Sequence, residues 1–123
     1  MHPSVEDAVW EAIAVLVAED HLYFRLTANF QESLPAVLIR AEQPSAGDVL
    51  ATSRLQIEIY HQTRNDAKTL ARVLDAHLLS GPHDTSHGLL DRIWADTPPN
   101  EVPYYDGQIS QFNAVYRVDT RAV

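Results

Sequence analysis

The stretch RLQIEIYHQTRNDAKTLARVLDAHLL, from Arg54 to Leu79, changes its hydrophobic period near its middle. The first half alternates apolar and polar residues, with Leu55, Ile57 and Ile59 on one face, as a half-buried strand does. The second half repeats apolar residues at the spacing of a helix. The stretch therefore predicts a strand that passes directly into an amphipathic helix.

Polar residues gather at this changeover and raise the question of an active site: Tyr60, His61, Thr63, Arg64, Asn65 and Asp66. Tyr60 and His61 are neighbours in the predicted strand Ser53 to Gln62, so their side chains point to opposite faces and cannot line one pocket. Thr63 or Asn65 is expected to cap the helix. The pattern favours a structural joint over a catalytic site.

The N-terminal segment predicts a first helix. Ser4 is expected to cap it, and acidic residues follow in its first turn, where the helix dipole favours negative charge. Its apolar stripe indicates an end near Ala18 to Asp20. The stripe consists of Val5, Ala8, Val9, Ala12, Ile13, Leu16 and Val17.

Three further strands are predicted: 36–42, 89–96 and 109–121. In the last strand Phe112, Ala114, Tyr116 and Val118 share one face. Residues 21–33 are expected to be mostly loop, although LYFRL within them could also form a short strand or an extended crossing. The HDTSHG segment is expected to be a loop, and the proline-rich TPPNEVPYYDG a long loop or a bent hairpin arm. The order α-β-β-α-β-β predicts an α+β fold in one domain, 1–123, with a two-layer, mostly antiparallel four-stranded sheet and two main helices packed on one face.

The chain has 123 residues and carries 17 acidic against 9 basic residues, for a formal net charge of -8. Such a surface repels phosphate, which argues against nucleic-acid binding through a basic face and against docking on anionic membranes. No signal peptide or bilayer-spanning run is apparent, so a protein made and used in the cytoplasm, or in a particle assembled there, is expected.

The residues that carry chemistry show no coherent catalytic or cofactor pattern. The chain has no cysteine, and its four glycines are isolated, so thiolate sites and phosphate-cradling loops are not indicated. His83 and His87 are four residues apart, with His77 nearby, and on a helix this spacing would suit a metal site. Gly81-Pro82 before them and Gly88 after them argue against a helix there. We expect no catalytic residue, no cofactor and no metal, and a solvated loop at these histidines.

Two loops are candidate contact regions. In the loop VPYYDGQ, the rings of Tyr104 and Tyr105 could be exposed for a partner to bind. Alternatively, one of the two rings folds back on the sheet. AEQPSAGDVLAT leaves Leu50 exposed unless something covers it.

This order of elements resembles the tail terminator family of long-tailed (siphovirus-type) bacteriophages. The similarity lies in the helix SVEDAVWEAIAVLV, the strand LPAVLIRAEQ and the unit RLQIEIYHQTRNDAKTLARVLDAHL. It extends to the close of the chain, where VPYYDG precedes the strand QFNAVYRVDTRAV. The resemblance covers nearly the whole length as a pattern of elements, and no single motif carries it.

The resemblance implies a non-enzymatic virion protein of the tail, assembled in the host cytoplasm. Members form a six-fold ring on the last ring of the tail tube protein, stop tube polymerisation and present a surface to the head–tail connector. They bind no cofactor and no membrane. The acidic balance would suit a ring through which DNA slides without specific binding.

A ring of identical subunits needs two different complementary patches on each subunit. Arg64 and Lys68 are expected to form one docking edge that meets an acidic residue of a neighbour. The candidates on the other side, and for the remaining contacts, are Glu42, Asp48, Glu58, Leu50, Tyr104, Tyr105, Asn113, Arg117 and Asp119. Two alternatives stay open: another head–tail connector, completion or minor tail protein, and a small His-dependent metal-binding enzyme.

Overall fold

The computed structural model describes residues 5–42, 50–104 and 107–121. The elements, in chain order, are α1 (Val5–Ile13), β1 (Leu22–Tyr23), β2 (Ala36–Ala41), β3 (Leu50–His61), α2 (Arg64–Leu79), β4 (His83–Thr85), β5 (Gly88–Val102) and β6 (Ser110–Arg121). Two 3-10 helices lie at Glu19–His21 and Phe30–Ser33. The predicted α+β class is confirmed.

The joint between β3 and α2 forms as the change of period predicts. Thr63 is the N-cap, and its Oγ1 accepts a hydrogen bond of 3.1 Å from the backbone N–H of Asp66. The alternative cap, Asn65, lies inside the helix. After Ser80, Gly81 adopts a φ of 138°, a conformation that residues with a Cβ rarely adopt, so the chain leaves the helix at a glycine.

The sheet has six strands in the order β1-β2-β3-β6-β5-β4, so the prediction of four strands is wrong in number. The two additional strands are the edge strands. β1 pairs parallel to β2 through two residues, and β4 pairs antiparallel to the start of β5 through three. Segments of two or three residues have no measurable hydrophobic period, and for this reason both read as loops.

β5 is longer than the predicted 89–96, because it runs through the proline-rich segment to Val102. Of the two predictions for this segment, a bent hairpin arm is closer to the structure than a loop. Its register against β6 shifts between Leu90 and Arg92, between Ala95 and Thr97, and between Thr97 and Asn100. The last shift skips Pro98 and Pro99, which have no N–H to donate, so the ladder continues around them.

α1 ends at Ile13, earlier than predicted, and its predicted cap, Ser4, lies outside the described residues. The backbone N–H groups of Leu16 and Val17 both donate to the carbonyl of Ile13, at 2.9 and 3.1 Å, which tightens the last turn. Val17 is still buried, but Val15 is 74% exposed and Leu16 is 44% exposed. The helical stripe therefore continues in sequence beyond the point where the helix stops.

Both helices pack on one face of the sheet, as predicted, and share a single core with the inward side chains of the strands. α1 contributes Val5, Ala8, Val9, Ala12 and Ile13, and α2 contributes Ala67, Ala71, Leu74 and Leu78. From the last strand come Phe112, Ala114, Tyr116 and Val118, the face predicted to be apolar. Tyr116 is fully buried, and its hydroxyl donates to Oδ1 of Asp75 on α2 at 2.7 Å.

The sheet curls around α1, so that β2 on one side and the turn between β4 and β5 on the other make hydrogen bonds with this helix. On one side Oε1 of Glu6 accepts the N–H of Ala41, at the end of β2, at 3.0 Å. On the other side Oε2 of Glu11 accepts the N–H and the hydroxyl of Ser86, at 3.0 and 2.7 Å, in the turn between β4 and β5. The opposite face of the sheet, which we call the outer face, is left without a covering helix over its centre.

Candidate functional site

The outer face is built by alternate residues of the two central strands and their neighbours. Cα partners in adjacent strands share a face. The register of β3 against β6 pairs Arg54 with Arg117, Glu58 with Asn113 and Tyr60 with Gln111. This face therefore collects most of the polar and charged side chains that the sequence identified as contact residues.

Glu58 lies on the outer face, as predicted, but it is only 8% exposed and its carboxylate is engaged within the chain. It accepts from the hydroxyl of Tyr60 at 2.6 Å, from Nε2 of Gln56 at 3.1 Å and from Nε2 of Gln111 at 3.5 Å. The Arg40 guanidinium lies 4.0 Å away. Glu58 therefore stabilises the sheet face and is not available as an exposed acid.

Burial raises the pKa of the Tyr60 hydroxyl well above its ordinary value, and the hydrogen bond to Glu58 and the charge of Glu58 raise it further. The pKa of Tyr116 is raised in the same way by burial and by Asp75. Each tyrosine stays protonated and donates to a carboxylate, Tyr60 to Glu58 within β3 and Tyr116 to Asp75 of α2, and the second bond joins the sheet to the helix. Neither group is set up as a base near neutral pH.

Tyr104 folds back on the outer face and does not project into solvent. Its ring centroid lies 5.6 Å from that of Tyr60 and 6.4 Å from that of Phe30, both in edge-to-face arrangements. Ala36 and Ile109 complete this second apolar cluster. The loop that contains Tyr104 and the 3-10 helix that contains Phe30 thus cover one end of the face. Tyr105 lies outside the described residues.

Arg64 lies in the first turn of α2 and forms an ion pair with Glu101 of β5, with Nε 3.1 Å from Oε2. Glu101 is not among the contact residues that the sequence suggested. Both side chains are about half exposed, at 56% and 48%. Lys68, one turn later, is partly buried. The docking edge expected at Arg64 and Lys68 remains accessible, but Glu101 of the same subunit balances the charge of Arg64.

Asn113, Arg117 and Asp119 of β6 lie on the outer face, opposite the apolar face as predicted, and each is partly exposed. Nε of Arg117 lies 3.6 Å from Oδ2 of Asp96, and Oδ1 of Asp119 accepts from the hydroxyl of Thr52. Asn113 accepts from Nε2 of Gln111 at 2.9 Å.

Of the candidates in and after the β2–β3 connection, Glu42 is exposed, and its N–H donates to the carbonyl of Arg54 at 3.0 Å. Asp48 lies outside the described residues. Leu50 begins β3, where its backbone pairs with that of Arg121, and its side chain is not among those described.

The sequence reading missed two features. Arg54 and Arg40 border a small pocket of about 200 Å³ on the outer face, and the alternation that placed Glu58 outward also applies to Arg54. The second feature is a groove of about 400 Å³ beside α1, floored by Trp10 and Phe24, whose ring centroids are 4.7 Å apart. Trp10 lies beside the apolar stripe of α1, but its partner Phe24 comes from a loop and has no sequence signal.

The histidines considered as metal ligands are bonded to backbone carbonyls. Nε2 of His77 lies 2.8 Å from the carbonyl oxygen of Ala12, and Nε2 of His83 lies 3.2 Å from that of Leu78. Within the described parts of the chain, no group of three or more His, Asp or Glu side chains is placed to hold a metal ion. The same residues contain no helix long and apolar enough to span a membrane.

No protein-family model matches the chain, and no curated protein matches it in sequence. Among solved structures, the fold is similar to a chain in the "Virion of native gene transfer agent (GTA) particle". The TM-score is 0.66 at 14% sequence identity, and the match covers 97% of this chain and 96% of the other. At this identity the likeness establishes a shared fold over nearly the full length of both chains.

The protonated tyrosines predict a loss of stability at alkaline pH. Both have a folded-state pKa above the unfolded value of about 10, so their contribution is complete below that pH and is lost as the pH rises towards the folded value. In urea unfolding, the free energy of unfolding of the wild type should fall above about pH 10. The double variant Tyr60→Phe/Tyr116→Phe should start lower and fall less steeply. Parallel curves for the two proteins would contradict the assignment.

Proposed function

We propose that this chain is a structural virion protein that caps the head-proximal end of a phage tail tube. In this proposal residues 1–123 form one tail-terminator-like domain, six copies form a ring, and the ring stops tube polymerisation and offers the head-joining surface. The observation that carries the proposal is the match of fold, from end to end, with a chain of a gene transfer agent virion. The order of elements that resembles tail terminators supports the same position in the particle.

The arrangement of side chains favours a role in contact over a role in catalysis. Two buried tyrosine hydroxyls donate to carboxylates: Tyr60 to Glu58 within β3, and Tyr116 of β6 to Asp75 of α2. The accessible polar groups are spread over the outer face and the α2 edge. A broad, rigid, polar surface suits repeated docking between subunits.

The proposal names three partners: further copies of this chain, the tail tube protein and the head–tail connector. DNA would pass through the ring. The formal net charge of -8 favours a lumen that does not retain phosphate, and a lumen lined with lysine and arginine would exclude this part of the proposal.

A second position in the same particle is a head–tail connector or completion protein. The similar chain belongs to a structure of a virion that is not described as a tail structure, so the second position also fits this likeness. The two positions differ in phenotype, since loss of a connector leaves tails of normal length that are not joined to heads.

We predict that lysates of phage-producing cells that lack this protein contain tube polymers of uncontrolled length. Purified wild-type protein added during assembly should restore a single length, measured by negative-stain electron microscopy. Tails of normal length without the protein would refute the terminator role. If those tails were also separated from heads, the connector role would take its place.

We expect Arg64→Glu and Arg117→Glu to impair ring formation while the subunit stays folded. Each residue forms an exposed ion pair within the chain, and such pairs contribute about 0–1 kcal/mol to the free energy of unfolding. Urea unfolding should therefore change little, and analytical ultracentrifugation or electron microscopy should show fewer rings. Normal rings from a variant would remove that residue from the interface. Arg72→Glu, at an exposed position on α2, is the matched control.

A further inference from the structure

The groove beside α1 combines aromatic area with negative charge, and we call it the aromatic groove. Its lining includes two aromatic rings and three carboxylates: Trp10, Phe24, Asp7, Glu11 and Glu19. The ring centroids of Trp10 and Phe24 lie 4.7 Å apart, and Phe24 is 41% exposed, so a group that enters the groove contacts ring surface. The groove has a volume of about 400 Å³, which is within the range of ligand-binding clefts.

The negative charge of the groove is not balanced by a base in its lining. None of the described residues that line it is lysine or arginine. Glu11 keeps its charge, because its hydrogen bonds come from the neutral N–H and hydroxyl of Ser86. Glu19 is exposed and belongs to none of the ion pairs of the described residues. Residues 5–26, which supply most of the lining, contain five acidic residues and one base, Arg25.

Aromatic rings beside carboxylates favour a cation that also has a flat, weakly hydrated surface. The guanidinium of arginine stacks on aromatic faces and pairs with carboxylates through a planar fork of N–H groups. Within this chain Arg92 makes the first of these contacts, since its guanidinium lies 4.8 Å from the centroid of the Trp94 ring. A purely apolar segment would leave the carboxylates of the groove beside it without a partner, at a cost in desolvation.

We propose that the aromatic groove binds an arginine side chain from a basic segment of another protein. The guanidinium lies against Trp10 and Phe24, and the carboxylates of the groove neutralise it. Val15 and Leu16, which follow the groove residues of α1 in the chain, are 74% and 44% exposed and contact apolar side chains of the same segment. None of these residues belongs to the surfaces named for the ring, so this contact is additional to the proposed function.

A second copy of this chain is a poor source of the arginine. Its net charge is -8, so an acidic surface would approach an acidic groove. Three of its arginines, Arg40, Arg64 and Arg117, are paired with carboxylates of their own subunit. A basic partner, in contrast, is attracted by the field of the whole acidic chain.

The test measures binding of a synthetic peptide to the full chain by tryptophan fluorescence. Trp94→Phe leaves Trp10 as the only tryptophan, so the emission reports on the groove. The probe is the acetylated and amidated peptide Gly-Ser-Arg-Leu-Arg-Ser-Gly, titrated at low ionic strength. We expect a saturable change in emission that added salt weakens. The same peptide with lysine in place of arginine should bind more weakly, and the peptide with glutamate should not bind.

Variants made in the Trp94→Phe chain separate the groove from the net charge. Phe24→Ser should weaken peptide binding about fivefold, through the loss of one cation–π contact. Glu19→Lys should weaken it about tenfold, because a carboxylate that attracts the guanidinium becomes a cation that repels it. Asp66→Lys is the matched control, since it makes the same change of charge at an exposed position in the first turn of α2, outside the groove. The control should bind the peptide nearly as the parent does.

No change in emission with the arginine peptide, or equal binding of the arginine and glutamate peptides, would overturn the proposal. Equal weakening by Glu19→Lys and Asp66→Lys would also overturn it, because the attraction would then arise from the net charge. Self-association of the chain that Glu19→Lys abolishes would assign the groove to a second copy instead. The tail-length experiment tests the terminator role independently, since it measures tube polymerisation and not peptide binding.

Discussion

The structure depends on the enclosure of α1 by a curled sheet. The apolar stripe of this short helix cannot be buried by α2 alone, so the sheet curls around it and buries the stripe in the shared core. Two carboxylates secure the closure: Glu6 accepts from the backbone of β2, and Glu11 accepts from Ser86 beyond β4. Burial of apolar surface drives the wrapping, and hydrogen bonds to charged acceptors fix its position.

The same curl shapes the accessible surface of the molecule. It leaves the convex outer face of the sheet without a helical layer over its centre, so alternate residues of four strands form a polar array. It also brings the loop that contains Phe24 and the turn that contains Ser86 next to α1, where both line the groove that contains Trp10.

Regular periodicity explains which parts of the fold the sequence predicted. The alternation through Leu55, Ile57 and Ile59, and the helical stripe after Thr63, indicated β3 and α2 to within a few residues. The edge strands β1 and β4 are only two and three residues long, so the sequence left β1 as one possibility for LYFRL and gave no sign of β4. Pro98 and Pro99 suggested a loop, whereas β5 accommodates them by skipping their positions in the ladder.

The candidate surfaces were less predictable because they depend on tertiary structure. Alternation places Glu58 and Tyr60 outward, but only the 3-10 helix at Phe30–Ser33 and the folded-back Tyr104 show that this end of the face is covered. Glu11 and Ser86 are 75 residues apart in sequence, so the groove between their elements has no local pattern. The outward position of Arg54, in contrast, follows from the same alternation as that of Glu58 and could have been predicted from the sequence.

The central claim, that this chain terminates a tail tube as a ring of its own copies, is tested most directly by cryo-electron microscopy of tails that contain it. The account predicts density for this fold as one six-fold ring at the head-proximal end. Density for the chain along the tube, or at the opposite end, or absent from tails, would contradict it.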